Sequence, residues 1–509
     1  MILRRGGDRR SSRTPGAAVA GVALSLLAAS GSPGSGTVAF EKVDLPGTTG
    51  SQYTTVTMGP DGRLYATTNC GEIRRWPLNA DGTTGAGETL TTLKDSSGGD
   101  RLLIGMVFDP ASTFDDLIAW VSHTTFGFSG MADWGGRITR LSGPDLQDAE
   151  DLVVGLPRSS RDHVTNGLTF GPDAALYFLQ GSNSSMGAPD SAWGNRSERL
   201  LTAAVLRLDP SLLGNPPLDV QTESGGSYDP YAPGAALTIY ATGVRNGYDL
   251  VWHANGSLYV PVNGSGSNHV TPAGVPGASC GDGTTYQGPP VPGLSNVSVQ
   301  NDYLCRIVEG GYYGHPNPLR CEFAMNGGNP TSAPDTAEVS EYPVGTLPDA
   351  GYSGIAFDFG VHKSPDGIIE YVGCVFDGAL QGKLLVVRYG QADDIIVLTP
   401  GGPDGDIVAA EIGIAGFGGF DNPLDLTENT SNGDLYVAEY AGSRITLLRP
   451  LSDPTCAMDL DCDGTIGITD LVILLASWGP CDSGCCTSDL DMDGVTGIVD
   501  LLMLLGNWG

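Results

Sequence analysis

The chain has 509 residues, of which 40% are hydrophobic, with 75 glycines, 34 prolines and a formal charge of −32. That length exceeds one ordinary compact core, and the density of turn formers excludes long helices over most of it; one large all-β domain with a small appendage is expected. A surface this acidic, with only four lysines, repels nucleic acid and anionic lipid, so no nucleic-acid partner is expected.

In chain order, residues 1–36 read as a signal peptide. Arg4, Arg5, Arg9, Arg10 and Arg13 form a basic start, Ala17 to Ala29 is apolar and small, and small residues follow at Ser30 to Gly36. The apolar run falls short of the ~20 residues that a span needs, and no later stretch qualifies, so no membrane span is expected after processing. Export to the periplasm, the cell surface or the medium is expected, which suits ten cysteines. Five lie in the body (Cys70, Cys280, Cys305, Cys321, Cys374) and five in the tail (Cys456, Cys462, Cys481, Cys485, Cys486). Either a bridge crosses between the parts or free thiols remain.

From Gly59 onward one pattern recurs: a Gly-Pro-Asp or Asn-Gly turn, then alternating apolar residues through Leu-Tyr. It occurs from Gly59, Gly171, His253 and Asn429, with weaker copies from Asp115 and Ile368. Such turns between alternating runs are hairpins. Six units predict an all-β fold, a six-bladed β-propeller over residues 37–450, in preference to a string of β-sandwiches. The strand near Thr37 to Lys42 is expected to complete the last blade.

Three segments of the body carry chemistry. The first is RSSRDHVTNGLTFGPD, with Arg161, Asp162 and His163 before a blade strand. The second is GVRNGYDLVWHANGSLYVPVNGSG, with Arg245 and Asn246. The third is NDYLCRIVEGGYYGHP, with Asp302. Together with GGDRLLIGMVFDP from Gly98, they resemble in order the soluble PQQ-dependent glucose/sorbosone dehydrogenases. The resemblance implies a quinoprotein that oxidises a sugar or sugar-derived aldehyde and passes electrons to an unknown acceptor. It implies His163 as general base, with Asp162 supporting it and Arg245 stabilising the oxyanion. It implies Arg245, Asn246, Asp100 and Lys383 around PQQ, and calcium held by Asp302 and the carbonyls of Gly264 and Ser265. The other five histidines read as surface or packing residues. The chain departs from the family at three places. Asp100 replaces a glutamine, Leu380 and Gln381 stand where blade five of the family has a basic residue, and Gly419 to Leu426 lacks the arginines of blade six. A tricarboxylate loses partners there. The alternative is a non-catalytic carbohydrate- or protein-binding propeller that has lost the PQQ site.

Residues 453–509 form a separate domain, with ten aspartates and neither lysine nor arginine. DLDCDGTIGITDLVILLASWG from Asp459 repeats as DLDMDGVTGIVDLLMLLGNWG from Asp489. Acids at loop positions 1, 3, 5 and 12, with a carbonyl at 7, wrap oxygens around one calcium ion per copy. The ligand sets are Asp459, Asp461, Asp463, Thr465 and Asp470, then Asp489, Asp491, Asp493, Val495 and Asp500. Each loop leads into a helix in which Leu471, Leu474, Leu475 and Trp478, or Leu501, Leu504, Leu505 and Trp508, fall at helical spacing. A duplicated EF-hand-type loop with one helix resembles the type I dockerin. That implies a small α-helical calcium-binding domain and a cohesin-like or cell-surface docking partner.

Overall fold

The computed structural model describes residues 38–509, apart from 333–334, 374, 377, 403–404, 452–457, 459, 461–464, 482–487, 491–493 and 509. The signal-like segment, Cys374, and the expected ligands Asp459, Asp461, Asp463, Asp491 and Asp493 lie outside the described residues.

The recurring sequence pattern has a local cause. In the first copy Gly59 donates to Arg63 O across the turn, and the Tyr65 hydroxyl donates to the Asp61 carboxylate at 2.8 Å. In the second, Gly171 donates to Ala175 O, and Tyr177 donates to Asp173 at 3.1 Å. A Cβ on Gly59 or Gly171 would stand 2.5 Å from the tyrosine ring, so only glycine lets the ring fold over its own turn. In the His253 copy the pair becomes Asn255 Nδ2 donating to the Tyr259 hydroxyl at 3.1 Å.

Six antiparallel sheets result, the blades of a propeller. Their innermost strands are Tyr53–Met58, Arg101–Phe108, Thr165–Phe170, Val251–Trp252, Pro365–Tyr371 and Pro423–Asn429. Blade two gains a fifth, parallel strand, Leu218–Asp219 beside Asp148–Leu156. The ring closes as the sequence predicts. Phe40–Asp44 pairs antiparallel with Arg444–Pro450, so one end of the described chain supplies the outer strand to a blade built by the other.

Side chains lace neighbouring blades around the axis. Thr54 Oγ1 donates to Leu103 O at 2.7 Å, Ser122 Oγ to Asn166 O at 2.6 Å, and Asn166 Nδ2 to Gly247 O at 2.7 Å. Asp249 accepts from Ile368 N at 3.2 Å and Asp425 from Val56 N at 2.8 Å. The axial channel they enclose is about 190 Å³ and is lined by all six blades.

At one end of the channel the strand connections are unequal. Residues 126–135, 181–203 and 263–301 make long loops on blades two, three and four, whereas 69–72, 389–393 and 440–443 are short on blades one, five and six. The blade-four loop is tied by the Cys280–Cys321 disulfide and packs Tyr286, Val291 and Val297 against Phe323, Met325 and Tyr342. Cys70 and Cys305 are free thiols.

In the tail, helices Ile468–Ala476 and Ile498–Gly506 repeat 30 residues apart, as the duplicated sequence predicts. Leu474 and Leu504 are buried, whereas Leu475 and Leu505 are exposed; Trp478 and Trp508 lie past the helix ends and are also exposed. Asp470 and Asp500 each accept from the backbone N–H that precedes their own helix, Gly467 and Gly497, at 2.6 Å. Asp500 also accepts from Leu490 N at 2.6 Å, and Asp489 from Gly494 N at 2.9 Å. Val495 pairs with Pro480 in a short antiparallel bridge.

Candidate active site

The long loops of blades three and four, with the entry and short loop of blade five, wall a cavity of about 640 Å³ at that end of the propeller. Blade three supplies Arg161, Asp162, His163, Ser185 and Trp193; blade four supplies Arg245, Asn246, Gly264, His269 and Asp302; blade five supplies His362, Ser364, Tyr389 and Gln391. Three separate sequence segments thus converge on one space.

His163 is buried. Its Nδ1 lies 2.9 Å from Ser182 Oγ and 3.2 Å from Ser182 O. The Ser182 hydroxyl donates to Ser184 O at 2.8 Å, so it can only accept from the imidazole. Nδ1 therefore carries the proton and Nε2 keeps its lone pair. Desolvation, then the charges of Arg245 and His315, hold the imidazole pKa well below its usual value, so His163 is a neutral base at physiological pH. Asp162, expected to support His163, makes no hydrogen bond to it. It is exposed at the cavity wall and acts on Arg245, whose cationic form it favours.

Arg245 is partly buried and donates only to carbonyls: Ser185 O at 2.9 Å, Asn263 O at 3.2 Å and Gly264 O at 3.0 Å. Among the described residues no carboxylate lies within salt-bridge distance of it. Desolvation lowers its pKa to about 10, so it stays charged at neutral pH. Asn246 accepts from Asn166 Nδ2 at 3.0 Å through its amide oxygen, which leaves its NH₂ as the group to donate.

Behind this wall Glu198 organises the blade-three loop. It is buried and accepts from Asn183 N and Ser184 N at 2.9 Å, from the hydroxyls of Ser184 and Thr202 at 2.5 Å, and from His315 Nε2 at 3.1 Å. Its pKa is lowered from the usual value because these donors, His315 foremost, outweigh desolvation. The loop it folds carries Ser182, Ser185 and Trp193, which hold His163, hold Arg245 and stack on both. The Trp193 ring lies 4.2 Å from the His163 ring, and Arg161 and Arg245 sit over it at 5.2 and 5.7 Å.

Several expected site residues stand elsewhere. Lys383 begins the strand Lys383–Arg388, whose other end meets the cavity at Tyr389; a six-residue strand puts it roughly 20 Å away. Leu380 is buried in the blade-five core. Asp100 lies outside the cavity lining, exposed and paired with Lys94 at 3.0 Å. The calcium ligands expected in the propeller are engaged as well. Gly264 O faces the Arg245 guanidinium, Ser265 O accepts from Gln300 N, and Asp302 accepts from Gly264 N, Lys363 N and Ser364 N at 2.7, 2.6 and 2.9 Å. A guanidinium on the would-be ligand does not fit a second cation, and no group of three metal-ligating side chains occurs among the described residues. Asp302 instead joins the blade-four loop to the entry of blade five. His269 and His362, read from the sequence as surface or packing residues, line the cavity; His269 lies 3.6 Å from Asp190. Trp193, Ser182 and Glu198 were not legible either, because they sit in a loop without periodicity.

The fold and the cavity define a six-bladed β-propeller with a polar cup at one end of its axis, holding a neutral histidine base beside an unpaired guanidinium. Solved structures share this fold. The PQQ-bound aldose sugar dehydrogenase of Streptomyces coelicolor aligns with a TM-score of 0.50 at 16% identity, over 81% of this chain and 98% of that one. The holo PQQ domain of a pyranose dehydrogenase from Coprinopsis cinerea aligns with a TM-score of 0.51 at 14% identity, over 82% and 99%. No protein-family model and no curated protein matches the sequence.

PQQ is a planar tricarboxylate. Arg245 without a carboxylate partner, the open NH₂ of Asn246 and a cavity of about 640 Å³ fit such a group, and Arg161 adds a second cation at the mouth. Blade five contributes no arginine or lysine to the lining, and blade six contributes nothing.

Proposed function

We propose that this chain is an exported quinoprotein oxidoreductase that oxidises a sugar or sugar-derived aldehyde with PQQ. The observation that carries the reading is His163, tautomer-locked with its basic nitrogen free, in one cavity with the unpaired Arg245. PQQ, when bound, supplies the two-electron acceptor for hydride. His163 Nε2 takes the proton of the hydroxyl being oxidised, in its neutral state and without prior deprotonation. Arg245 stabilises negative charge that develops on that oxygen. The Asn246 NH₂ and Arg161 hold carboxylate or carbonyl oxygens of the bound acceptor, and Trp193 covers the base from solvent. The test is calorimetric titration of PQQ into the purified protein, followed by dye-linked sugar oxidation in wild type and His163→Ala. Binding with loss of turnover in the variant supports the reading; full turnover in the variant removes His163 from the base role.

One observation favours a second reading. Blades five and six offer no arginine or lysine to the cavity lining, which suits a propeller that binds carbohydrate without oxidising it. Absence of PQQ binding in the same titration selects it. For the tail, we propose two calcium loops of dockerin type and a cohesin-like partner. The support is the duplicated loop sequence with one helix after each copy. Chelation with EDTA is expected to melt residues 456–509; circular dichroism of the tail left unchanged by EDTA would sink the idea.

A further inference from the structure

The blade-two loop carries two exposed aromatic rings that the proposed chemistry does not use. Phe126 and Phe128 are 44% and 46% exposed, and their rings meet edge to face at 6.3 Å. Single exposed apolar residues need no explanation, but a paired, fixed set does.

The pair is held by a built scaffold. Arg158 is fully buried and has no carboxylate within salt-bridge distance among the described residues. All its donors go to this rim: Nη1 to Thr125 O at 2.5 Å, Nη2 to Gly127 O at 3.0 Å and to Arg161 O, and Nε to Ser159 O at 3.1 Å. One nitrogen thus bridges the carbonyl between the two phenylalanines and the carbonyl of Arg161, a cavity residue. Met131 N donates to Ser160 O at 3.3 Å, and Arg196 Nη2 donates to Met131 O at 2.5 Å. Burying a guanidinium is costly, and here its hydrogen bonds fix one loop against the segment that leads into His163. The loop that carries the aromatic pair is therefore fixed against the backbone of Arg161, a residue of the cavity wall.

We propose that Phe126 and Phe128 form an outer subsite that binds the second and later units of an oligosaccharide whose reducing end occupies the cavity. The inference rests on the sugar-oxidising reading of that cavity and names its substrate class. The electron-rich faces of aromatic rings attract the C–H faces of pyranose units, and rigid rings lose little entropy on binding. The link between rim and cavity is Arg161, which lines the cavity and shares the Arg158 guanidinium with Gly127.

The test uses the full protein loaded with PQQ. Glucose, xylose and mannose are compared with cellotetraose, xylotetraose and mannotetraose by dye-linked turnover, in wild type and in a Phe126→Ala, Phe128→Ala double variant. The expected result is a tetrasaccharide KM about tenfold below that of the matching monosaccharide, corresponding to about 1.4 kcal/mol. The double variant should lose that advantage and retain monosaccharide turnover. Equal KM at both chain lengths, or a length advantage that survives in the double variant, overturns the subsite and leaves the oxidase reading standing. No oxidation of any of the six sugars overturns both.

Discussion

The imidazole Nδ1 of His163 lies 2.9 Å from the hydroxyl of Ser182, and that hydroxyl is committed as a donor to the carbonyl of Ser184 at 2.8 Å. One serine therefore decides which imidazole nitrogen of His163 keeps its lone pair. Removing its hydroxyl leaves only the weaker 3.2 Å contact to Ser182 O. Ser182→Ala is expected to lower sugar turnover by about tenfold with little change in PQQ affinity. Steady-state kinetics beside a PQQ titration checks the split.

The same burial has a consequence for stability. The His163 pKa is depressed, chiefly by desolvation, so the folded state stays unprotonated where the unfolded chain takes up a proton. As pH falls below about 6.5, the unfolded state gains protons that the folded state refuses, and stability drops. His163→Gln is expected to flatten this acid slope. Melting temperatures between pH 7 and pH 4.5 show it.

Asp249 and Asp425 face the axial channel and titrate in the opposite sense. Desolvation is the largest cause for each, and the charge of Asp249 adds to it at Asp425; both pKa values rise above the carboxylate range. The folded state then retains protons that the unfolded chain releases from about pH 4 upward, so this contribution to stability is present at acid pH and lost as pH rises through the folded values. Asp425→Asn, which keeps an acceptor for Val56 N, is expected to raise the melting temperature at pH 8 and leave it unchanged at pH 4. An equal shift at both pH values would remove the titration argument.

Glu198 is satisfied by five donors and buried with His315. Glu198→Ala strands them together, so a loss of about 3–5 kcal/mol is expected, with the 181–203 loop losing its fold. Glu198→Gln should recover part of both. Denaturant unfolding and the His163-dependent turnover are read in parallel, since the loop carries Ser182.

The Cys280–Cys321 bridge closes a separation of 41 residues between two loops of blade four. Replacing both cysteines with serine is expected to destabilise the protein by about 3–4 kcal/mol. Because His269 and Gly266 reach the cavity from this loop, weaker ligand binding should accompany the loss, measurable by calorimetry.

The propeller, its closure and the duplicated tail are legible in the amino-acid sequence. Those features are local and repeated: a glycine under a tyrosine ring, an aspartate under its hydroxyl, an aspartate in the first turn of each tail helix. It also identified Arg161, Asp162, His163, Arg245, Asn246 and Asp302 as residues of one site, since short motifs carry them. What each of them contacts emerges only when the chain folds. Ser182, not Asp162, holds the base, because the chain returns to it through an aperiodic loop. Gly264 O accepts from Arg245, and Lys383 lies far from the site because strand direction, not nearness in sequence, fixes which end of a blade a residue reaches. Trp193, Glu198 and the Phe126–Phe128 rim have no sequence signature, because their roles come from loops that meet only when six blades close into a ring.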